Sequence, residues 1–243
     1  MLVFLAVLAL LIIPHLVVAG RIQGFAHWSR ATWDSAGIIA ANPAGTNNAV
    51  VQVYAARAWG KKGIFAVHSW IVLKHAGAAD YERYEVVGWG VGRGRPAVRK
   101  NRHVADGHWA GNRPELLLDK RGPEVEALVN EVERAIASYP YPNSYVTWPG
   151  PNSNTFIAYI GREVPALGLE LPPTAIGKDF LDWSRFAAPT PSGTGYQLSL
   201  FGLLGLSLAR DEGLELHLLG FTLGLDPLEL AVKLPGLGRM SLR

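Results

Sequence analysis

His68 and Ser153 are the two residues whose types and settings could support acyl transfer. His68 lies in an apolar, β-rich run, residues 64–74, that predicts a buried strand. Ser153 stands where a short helix is predicted to begin. The first turn of a helix offers free N–H groups and the positive end of the helix dipole. Ser153 is therefore the candidate nucleophile and His68 the candidate base, and the N–H groups near Asn154 form the candidate oxyanion site.

A serine hydroxyl needs more help than a thiol does, because it forms no stable anion beside an imidazole. It requires a base placed for the attack and a third group that orients the base. Glu85, on the neighbouring predicted strand, is the candidate orienting group, and either Asn152 or Ser153 is expected to cap the helix. A purely structural interpretation stays open, since Asn and Ser after Pro are ordinary turn residues and a strand His is often a hydrogen-bonded core group.

Two other patterns are candidate ligand sites. His103, Asp106 and His108 have ligand chemistry suited to zinc, but no predicted helix or strand holds them together, and a solvated loop is the preferred interpretation. The alternating glycines of residues 88–94 lack the third glycine of a dinucleotide fingerprint and the Gly-Lys-Ser/Thr of a P-loop. The sequence therefore predicts neither a metal site nor a cofactor.

The composition predicts a folded domain with a substantial core. Of the 243 residues, 49% are hydrophobic and 18% are charged, which excludes a charge-rich disordered chain. The absence of cysteine excludes disulfides, thiolate zinc sites and a cysteine nucleophile. The net charge of +3 does not indicate a nucleic-acid partner. The basic stretch 93–102 is interpreted as a solvated face, with anionic lipid headgroups or an acidic envelope polymer as the alternative.

The N-terminal segment is almost wholly apolar. Residues 2–19 are interrupted only by Pro14 and His15, and about 18 such residues reach the lower length limit of a membrane span. We expect residues 1–20 to be a membrane anchor or a cleaved signal segment, which makes the lipid bilayer a partner. Residues 21–48 are predicted to form a linker or irregular arm.

The remainder, residues 49–243, is predicted to be a single α+β domain. Strands at 49–54, 64–74 and 84–89 suggest a mainly antiparallel sheet, and apolar spacing predicts a helix over 123–138. The C-terminal part predicts an apolar β-hairpin with arms at 196–209 and 214–225. Lys178, Asp179 and Lys233 are expected to form surface ion pairs.

Five segments resemble a bacterial family known as domain of unknown function 3750. They lie at residues 66–70, 84–89, 148–156, 175–179 and 233–239, and the string Trp-Pro-Gly-Pro-Asn-Ser-Asn-Thr-Phe at 148–156 is the most specific of them. The resemblance implies a membrane-associated bacterial protein and carries no activity with it. We expect the bacterial inner membrane as the location, with the folded domain in the periplasm.

The order of the candidate residues is also similar to that of circularly permuted papain-like hydrolases. In those enzymes a His on an early strand meets a Cys at the start of a later helix, often after an Asn. The similarity implies that His68 and Ser153 meet, with serine in the place of cysteine. The preferred function is a membrane-tethered envelope module on a papain-like scaffold, non-enzymatic or of cryptic activity. The alternative is a serine-variant hydrolase or acyltransferase of amide or ester bonds, acting on an envelope polymer, peptide or lipid.

Overall fold

The computed structural model describes residues 2–21, 31–38, 46–101 and 103–241. Within these ranges the α-helices are α1 (Leu2–Arg21), α2 (Val125–Ala137) and α3 (Ser153–Glu163). The first sheet contains β1 (Ala49–Arg57), β2 (Val67–Lys74), β3 (Glu82–Val86), β4 (Val98–Asn101) and β5 (Glu115–Gly122). The second contains β6 (Ala187–Pro189), β7 (Gly195–Leu200), β8 (Leu204–Ala209), β9 (Gly213–Leu218), β10 (Phe221–Asp226), β11 (Ala231–Leu234) and β12 (Gly238–Ser241). The predicted α+β class is confirmed.

The first sheet separates two apolar layers. Its strands run antiparallel in the order β4-β3-β2-β1-β5. Because side chains alternate along a strand, Ile71 and Leu73 face the layer that holds α2 and α3, whereas Trp70 and Val72 face an aromatic layer that includes Trp109. Both faces of β2 are therefore buried, which explains its nearly continuous apolar sequence.

Helix α2 matches its predicted face. Val125, Val129, Val132 and Ala135 are its buried residues, and their spacing of three and four places them along one side of the helix. This side packs against β1 and β5, so α2 covers one side of the first sheet, whereas α3 packs on the central strand β2. The early acidic residue Glu126 lies in the first turn, where the helix dipole favours a negative charge.

The C-terminal hairpin prediction was too coarse, because each predicted arm contains a turn of its own. The second sheet is an antiparallel meander in the order β12-β11-β10-β9-β8-β7-β6. Phe201 and Gly202 turn the chain between β7 and β8, and Leu219 and Gly220 turn it between β9 and β10, all with positive φ. Two of these four positions hold leucine or phenylalanine, so the usual glycine signal for a turn is incomplete.

The second sheet has one polar face, which is buried, and one apolar face, which is exposed. Glu215 and Lys233 are about 1% and 0% exposed, whereas Leu208 on the opposite face is 66% exposed. Lys178 and Asp179 are also buried, so the expectation that Lys178, Asp179 and Lys233 form surface pairs was wrong. Lys178 Nζ and Lys233 Nζ each lie 2.8 Å from a carboxylate oxygen of Glu215. The polar face can be buried because each ammonium group there has a carboxylate partner within hydrogen-bond distance.

Part of the N-terminal region is attached to the folded domain. Helix α1 contacts β10, β11 and the 3-10 turn Gly60–Ile64. Among the described residues, none of the helices meets the length and hydropathy needed to span a bilayer. Ser35, in the predicted linker, donates a 2.8 Å hydrogen bond to Asp106, so residues 31–38 pack on the loop before β5 rather than forming a free linker. Residues 1, 22–30 and 39–45 of the predicted anchor and arm lie outside the described ranges.

Candidate functional site

A cavity of about 1060 Å³ lies at one end of the first sheet. The register between β2 and β3 begins at Trp70 and Glu85, so the preceding residues of β2 have no partner on β3. Val67 and His68 line the cavity from the end of β2 that pairs with β1 but not with β3. Ser153 lines it from the first turn of α3. The separation of β2 from the end of β3 thus leaves a space that both candidate residues reach.

His68 is held by a buried carboxylate. Its Nε2 lies 2.7 Å from Glu85 Oε2, and the same oxygen accepts a 3.0 Å hydrogen bond from Arg83 Nη2. Asn101 Nδ2 donates to the other oxygen of Glu85. Because an ionised carboxylate only accepts hydrogen bonds, Nε2 carries the proton and Nδ1 of a neutral ring keeps its lone pair.

The charge states in this network favour a neutral imidazole beside an ionised carboxylate. Burial lowers the pKa of His68, and the opposing effect of Glu85 does not reverse the shift. Burial by itself raises the pKa of Glu85, but Arg83 and His68 outweigh it and lower that pKa to about 2. At neutral pH the ring is therefore in its basic form, which is the form that a general base requires.

Two asparagines fix the first turn of α3. Asn152 is the helix cap, and its Oδ1 accepts from the N–H groups of Asn154 and Thr155 at 2.9 and 3.1 Å. The side chain of Asn154 binds β2, because Oδ1 accepts from Ser69 Oγ at 2.8 Å and Nδ2 donates to the carbonyl of Val67 at 3.1 Å. These bonds attach the turn that contains Ser153 to β2 on both sides of His68.

Strand alternation decides to which side of the first sheet His68 points, and therefore how it lies relative to Ser153. Ser69 points towards α3, and its Oγ lies 3.3 Å from the carbonyl oxygen of Ser153. His68 therefore points to the aromatic layer, where its ring stacks on Trp109 with centroids 3.6 Å apart. In the described part of the chain no hydrogen bond joins His68 to Ser153, and the two meet only as walls of one cavity. The N–H of Asn154, the candidate oxyanion donor, is already bonded to the cap.

A loop from the second half of the chain supports this turn. The carbonyl oxygen of Ile176 accepts from Nδ2 of both Asn152 and Asn154, at 3.1 and 3.0 Å. Gly177 has φ +89°, and a Cβ at this position would lie 2.6 Å from Asn152 Nδ2, so no larger residue fits. The next residue, Lys178, donates to Glu215 at 2.9 Å. The ion pair between Lys178 and Glu215 thus fixes the loop at Ile176 and Gly177, and this loop in turn fixes the side chain of the helix cap.

Sequence reasoning missed several of the groups that complete the site. Arg83, which binds Glu85, lies two residues before it, and the period of a strand places both on one face, so this signal was available. Trp109 was one of several tryptophans that the sequence could assign either to the core or to a stacking surface, and its contact with His68 could not be predicted because it comes from a loop far along the chain.

The candidate metal ligands have other roles. The carboxylate of Asp106 accepts from Ser35 and from the N–H of Ile38, and the ring of His103 stacks on Trp33. His108 Nδ1 lies 3.3 Å from Asp34. Within the described ranges no group of three His, Cys, Asp or Glu side chains is arranged to bind a metal ion.

Comparison with known proteins gives one match. A family model described as "Protein of unknown function (DUF3750)" matches residues 48–180, which include His68, Glu85 and Ser153. No curated protein and no solved structure matches the chain.

Proposed function

This chain belongs to the DUF3750 family, whose description assigns no reaction, and we propose from the site itself that it hydrolyses or transfers an acyl group held in an ester or amide bond. Ser153 is the nucleophile, His68 the general base and Glu85 the group that orients the base. The observation that supports this proposal most is the 2.7 Å contact between His68 and Glu85 at the wall of an open cavity that Ser153 also lines.

The reaction follows from the hydrogen bonds of the imidazole. As Ser153 Oγ attacks the carbonyl carbon, His68 Nδ1 accepts the hydroxyl proton, and the carbonyl oxygen becomes an oxyanion. The imidazolium then gives that proton to the leaving alkoxide or amine, which leaves an acyl group on Ser153. Water or an acceptor alcohol or amine attacks this ester, with His68 again as base. Glu85 stabilises the imidazolium throughout because its low pKa keeps it ionised.

The proposal keeps the papain-like scaffold, the membrane tether and the periplasmic setting. In support of the scaffold, the chain has a His on an early strand, a carboxylate on the next strand and a candidate nucleophile at the first position of a later helix. In support of the tether, the helix α1 that precedes the domain carries no polar residue other than His15 before Arg21.

Covalent labelling tests the reaction directly. We expect a fluorophosphonate to label the full-length protein at one site and Ser153→Ala to abolish the label, because the phosphonate reacts only with an activated serine. Ser144→Ala is the matched control, since Ser144 is exposed in the turn that precedes α3, and this variant should label as the wild type does. Mass spectrometry of the labelled peptide provides the measurement. An unlabelled wild type, or a label that survives in Ser153→Ala, contradicts the proposal.

A cysteine at position 153 reports on the electrostatics of the same place. We expect the thiol of Ser153→Cys to titrate below the usual value of about 8.5, because it lies in the first turn of a helix and in a cavity that an imidazole also lines. The rate of iodoacetamide alkylation against pH measures that pKa. A pKa of 8.5 or above would speak against a site built to stabilise an anion.

A non-catalytic binding module is the second candidate, and one observation favours it. The cap formed by Asn152 occupies the N–H groups of Asn154 and Thr155, which an oxyanion at this helix end would need. If the cavity binds a ligand while Ser153 resists the phosphonate, the module is the correct function. The two candidates thus differ in labelling and not in ligand binding.

A further inference from the structure

We infer that the acyl group handled at this site belongs to a membrane lipid, whose hydrocarbon chain occupies the cavity. This inference rests on the proposed function for its reaction but on a different set of contacts for its binding. Those contacts are the lining of the cavity, the rim of its mouth and the exposed apolar surface that continues from the rim.

The cavity is large and apolar. Its volume of about 1060 Å³ lies just above the roughly 300–1,000 Å³ that is typical of ligand pockets. Lys62 is the single lining residue with a full charge among those described, because burial keeps the ring of His68 neutral. The apolar walls include the side chains of Val67, Val86, Val87, Trp109, Ile176 and Phe221. Such walls suit a hydrocarbon chain, because an apolar chain leaves no polar group of its own unpaired there.

Exposed aromatic side chains surround the mouth. Trp59, Trp89 and Trp148 line the cavity and are 43%, 48% and 46% exposed. Tryptophan is the residue that most favours the boundary between membrane and water, because its ring is amphipathic. A rim of this kind is expected where a cavity opens towards lipid headgroups.

Helix α1 reaches the same mouth. The ring of His15 packs between Phe65 and Phe221, with centroid distances of 4.8 and 4.7 Å, and both phenylalanines line the cavity. On the far side of the helix Ile13 and Leu16 are 56% and 64% exposed. The helix therefore presents apolar side chains to the surroundings directly beside the opening.

The exposed face of the second sheet extends this surface. Phe221 pairs with Leu218, which pairs with Leu204, so a row of apolar residues leads from the mouth across three strands. Parallel rows follow the same register. The apolar residues of this leucine face on β7 to β10 are Tyr196, Leu198, Leu200, Leu204, Leu206, Leu208, Leu214, Leu216, Leu218, Phe221, Leu223 and Leu225.

A phospholipid bilayer fits the leucine face better than a protein does. Protein interfaces contain hydrogen-bonding groups and a polar rim, and they favour aromatic residues and arginine. The leucine face carries no charged residue at any of its paired positions from β7 to β10. Since it is continuous with α1 and with the cavity mouth, a bilayer on this surface would place acyl chains at the opening.

Fatty-acid binding tests the inference without depending on catalysis. In the full-length Ser153→Ala variant, quenching of tryptophan fluorescence should report binding of octanoate and dodecanoate below their micelle concentrations. We expect dodecanoate to bind at least tenfold more tightly, since each buried methylene can contribute up to about fourfold. Ala66→Phe, which fills part of the cavity, should weaken dodecanoate binding at least tenfold, whereas the exposed control Ala79→Phe should leave it unchanged.

Each outcome has one meaning. Equal affinity for the two chain lengths, or an Ala66→Phe protein that binds as the control does, overturns the lipid inference. If the fluorophosphonate still labels Ser153 in that case, the proposed reaction stands with another acyl donor. Chain-length-dependent binding without labelling has the opposite meaning: the cavity holds lipid and the proposed reaction is wrong.

Vesicle flotation tests the leucine face. Full-length protein should float with phosphatidylcholine vesicles, and Leu206→Asp combined with Leu208→Asp should reduce the bound fraction at least tenfold. Ala79→Asp combined with Ala137→Asp adds the same charge elsewhere and should float as the wild type does. Unchanged flotation of the leucine variant overturns the docking. A wild-type dimer that the leucine variant converts to a monomer, without any change in flotation, identifies the face as an interface between copies and also overturns it.

Discussion

Glu215→Gln is expected to lower the free energy of unfolding by about 3–5 kcal/mol, the range for removal of one partner from a buried ion pair. Glu215 lies between the buried ammonium groups of Lys178 and Lys233, at 2.8 Å from each. The neutral amide leaves the buried Lys178 ammonium without its carboxylate partner, whereas Lys233 keeps Glu170, whose Oε1 lies 2.6 Å from its Nζ. Chemical denaturation at pH 7 of the full-length variant and wild type measures the difference.

Two comparisons make the result specific. Glu131→Gln changes the same group on the exposed side of α2 and should alter stability by less than about 0.5 kcal/mol. Glu215→Gln combined with Lys178→Met should be less destabilised than the sum of the single variants, because it removes the charge that Glu215→Gln leaves without a carboxylate partner. A loss below about 1 kcal/mol for Glu215→Gln would mean that the cluster is hydrated and does not hold the loop at Ile176 and Gly177.

The second large effect concerns His68. We expect His68→Asn to slow fluorophosphonate labelling of Ser153 by about 10²–10⁴-fold, which is the usual contribution of a general base. Asparagine has no basic nitrogen, so the hydroxyl proton has no acceptor. The control is His75→Asn, because His75 also contacts two glutamates, Glu126 and Glu133, but lies away from the cavity. The labelling rate at fixed probe concentration is the measurement, and a rate within threefold of wild type removes His68 from the mechanism.

The pH profile separates a base from a structural histidine. Burial lowers the pKa of His68 from 6.5, so the neutral ring persists when the pH falls to values that protonate an ordinary histidine. The labelling rate should therefore stay constant from pH 8 to below 6.5 and decrease only at lower pH. A midpoint at or above 6.5 would contradict a buried base. Protonation of Glu85 occurs in a different pH range. Because its pKa is lowered from 4.5 to about 2, its contribution to the free energy of unfolding is complete above pH 4.5 and is lost as the pH falls from 4.5 towards 2.

The secondary structure near the site could be predicted because its signals are local. The spacing of Val125, Val129 and Val132 predicted α2, and the cap of α3 was predicted at Asn152 or Ser153, of which the structure shows Asn152. The two arms assigned to the C-terminal hairpin were divided by further turns, because Phe201 and Leu219 adopt positive φ without the residue types that usually announce it. A turn whose conformation is imposed by the pairing of the flanking strands need not contain the residue types from which turns are usually predicted.

The environment of the charged residues could not be predicted. Lys178 and Lys233 were expected at the surface, since charges exposed to water are the rule. Both are buried next to Glu215, which lies on the same face of the second sheet as Lys233 and pairs with both, and Lys233 also pairs with Glu170. No local sequence pattern predicts such buried ion pairs, because they depend on the register of strands that are far apart in the chain.

By itself the sequence determined the residue types at the site, the strands and helix that carry them, and membership of the DUF3750 family. The elements follow from hydrophobic periodicity and capping, which are signals within a few neighbouring residues, and the family follows from similarity of short sequence segments. Only the tertiary structure decided that His68 contacts Glu85 and shares an apolar cavity with Ser153, and that the leucines of the second sheet lie outside while its charges lie inside. The reason is that strand pairing sets the side to which each residue points, and pairing joins residues far apart in the chain.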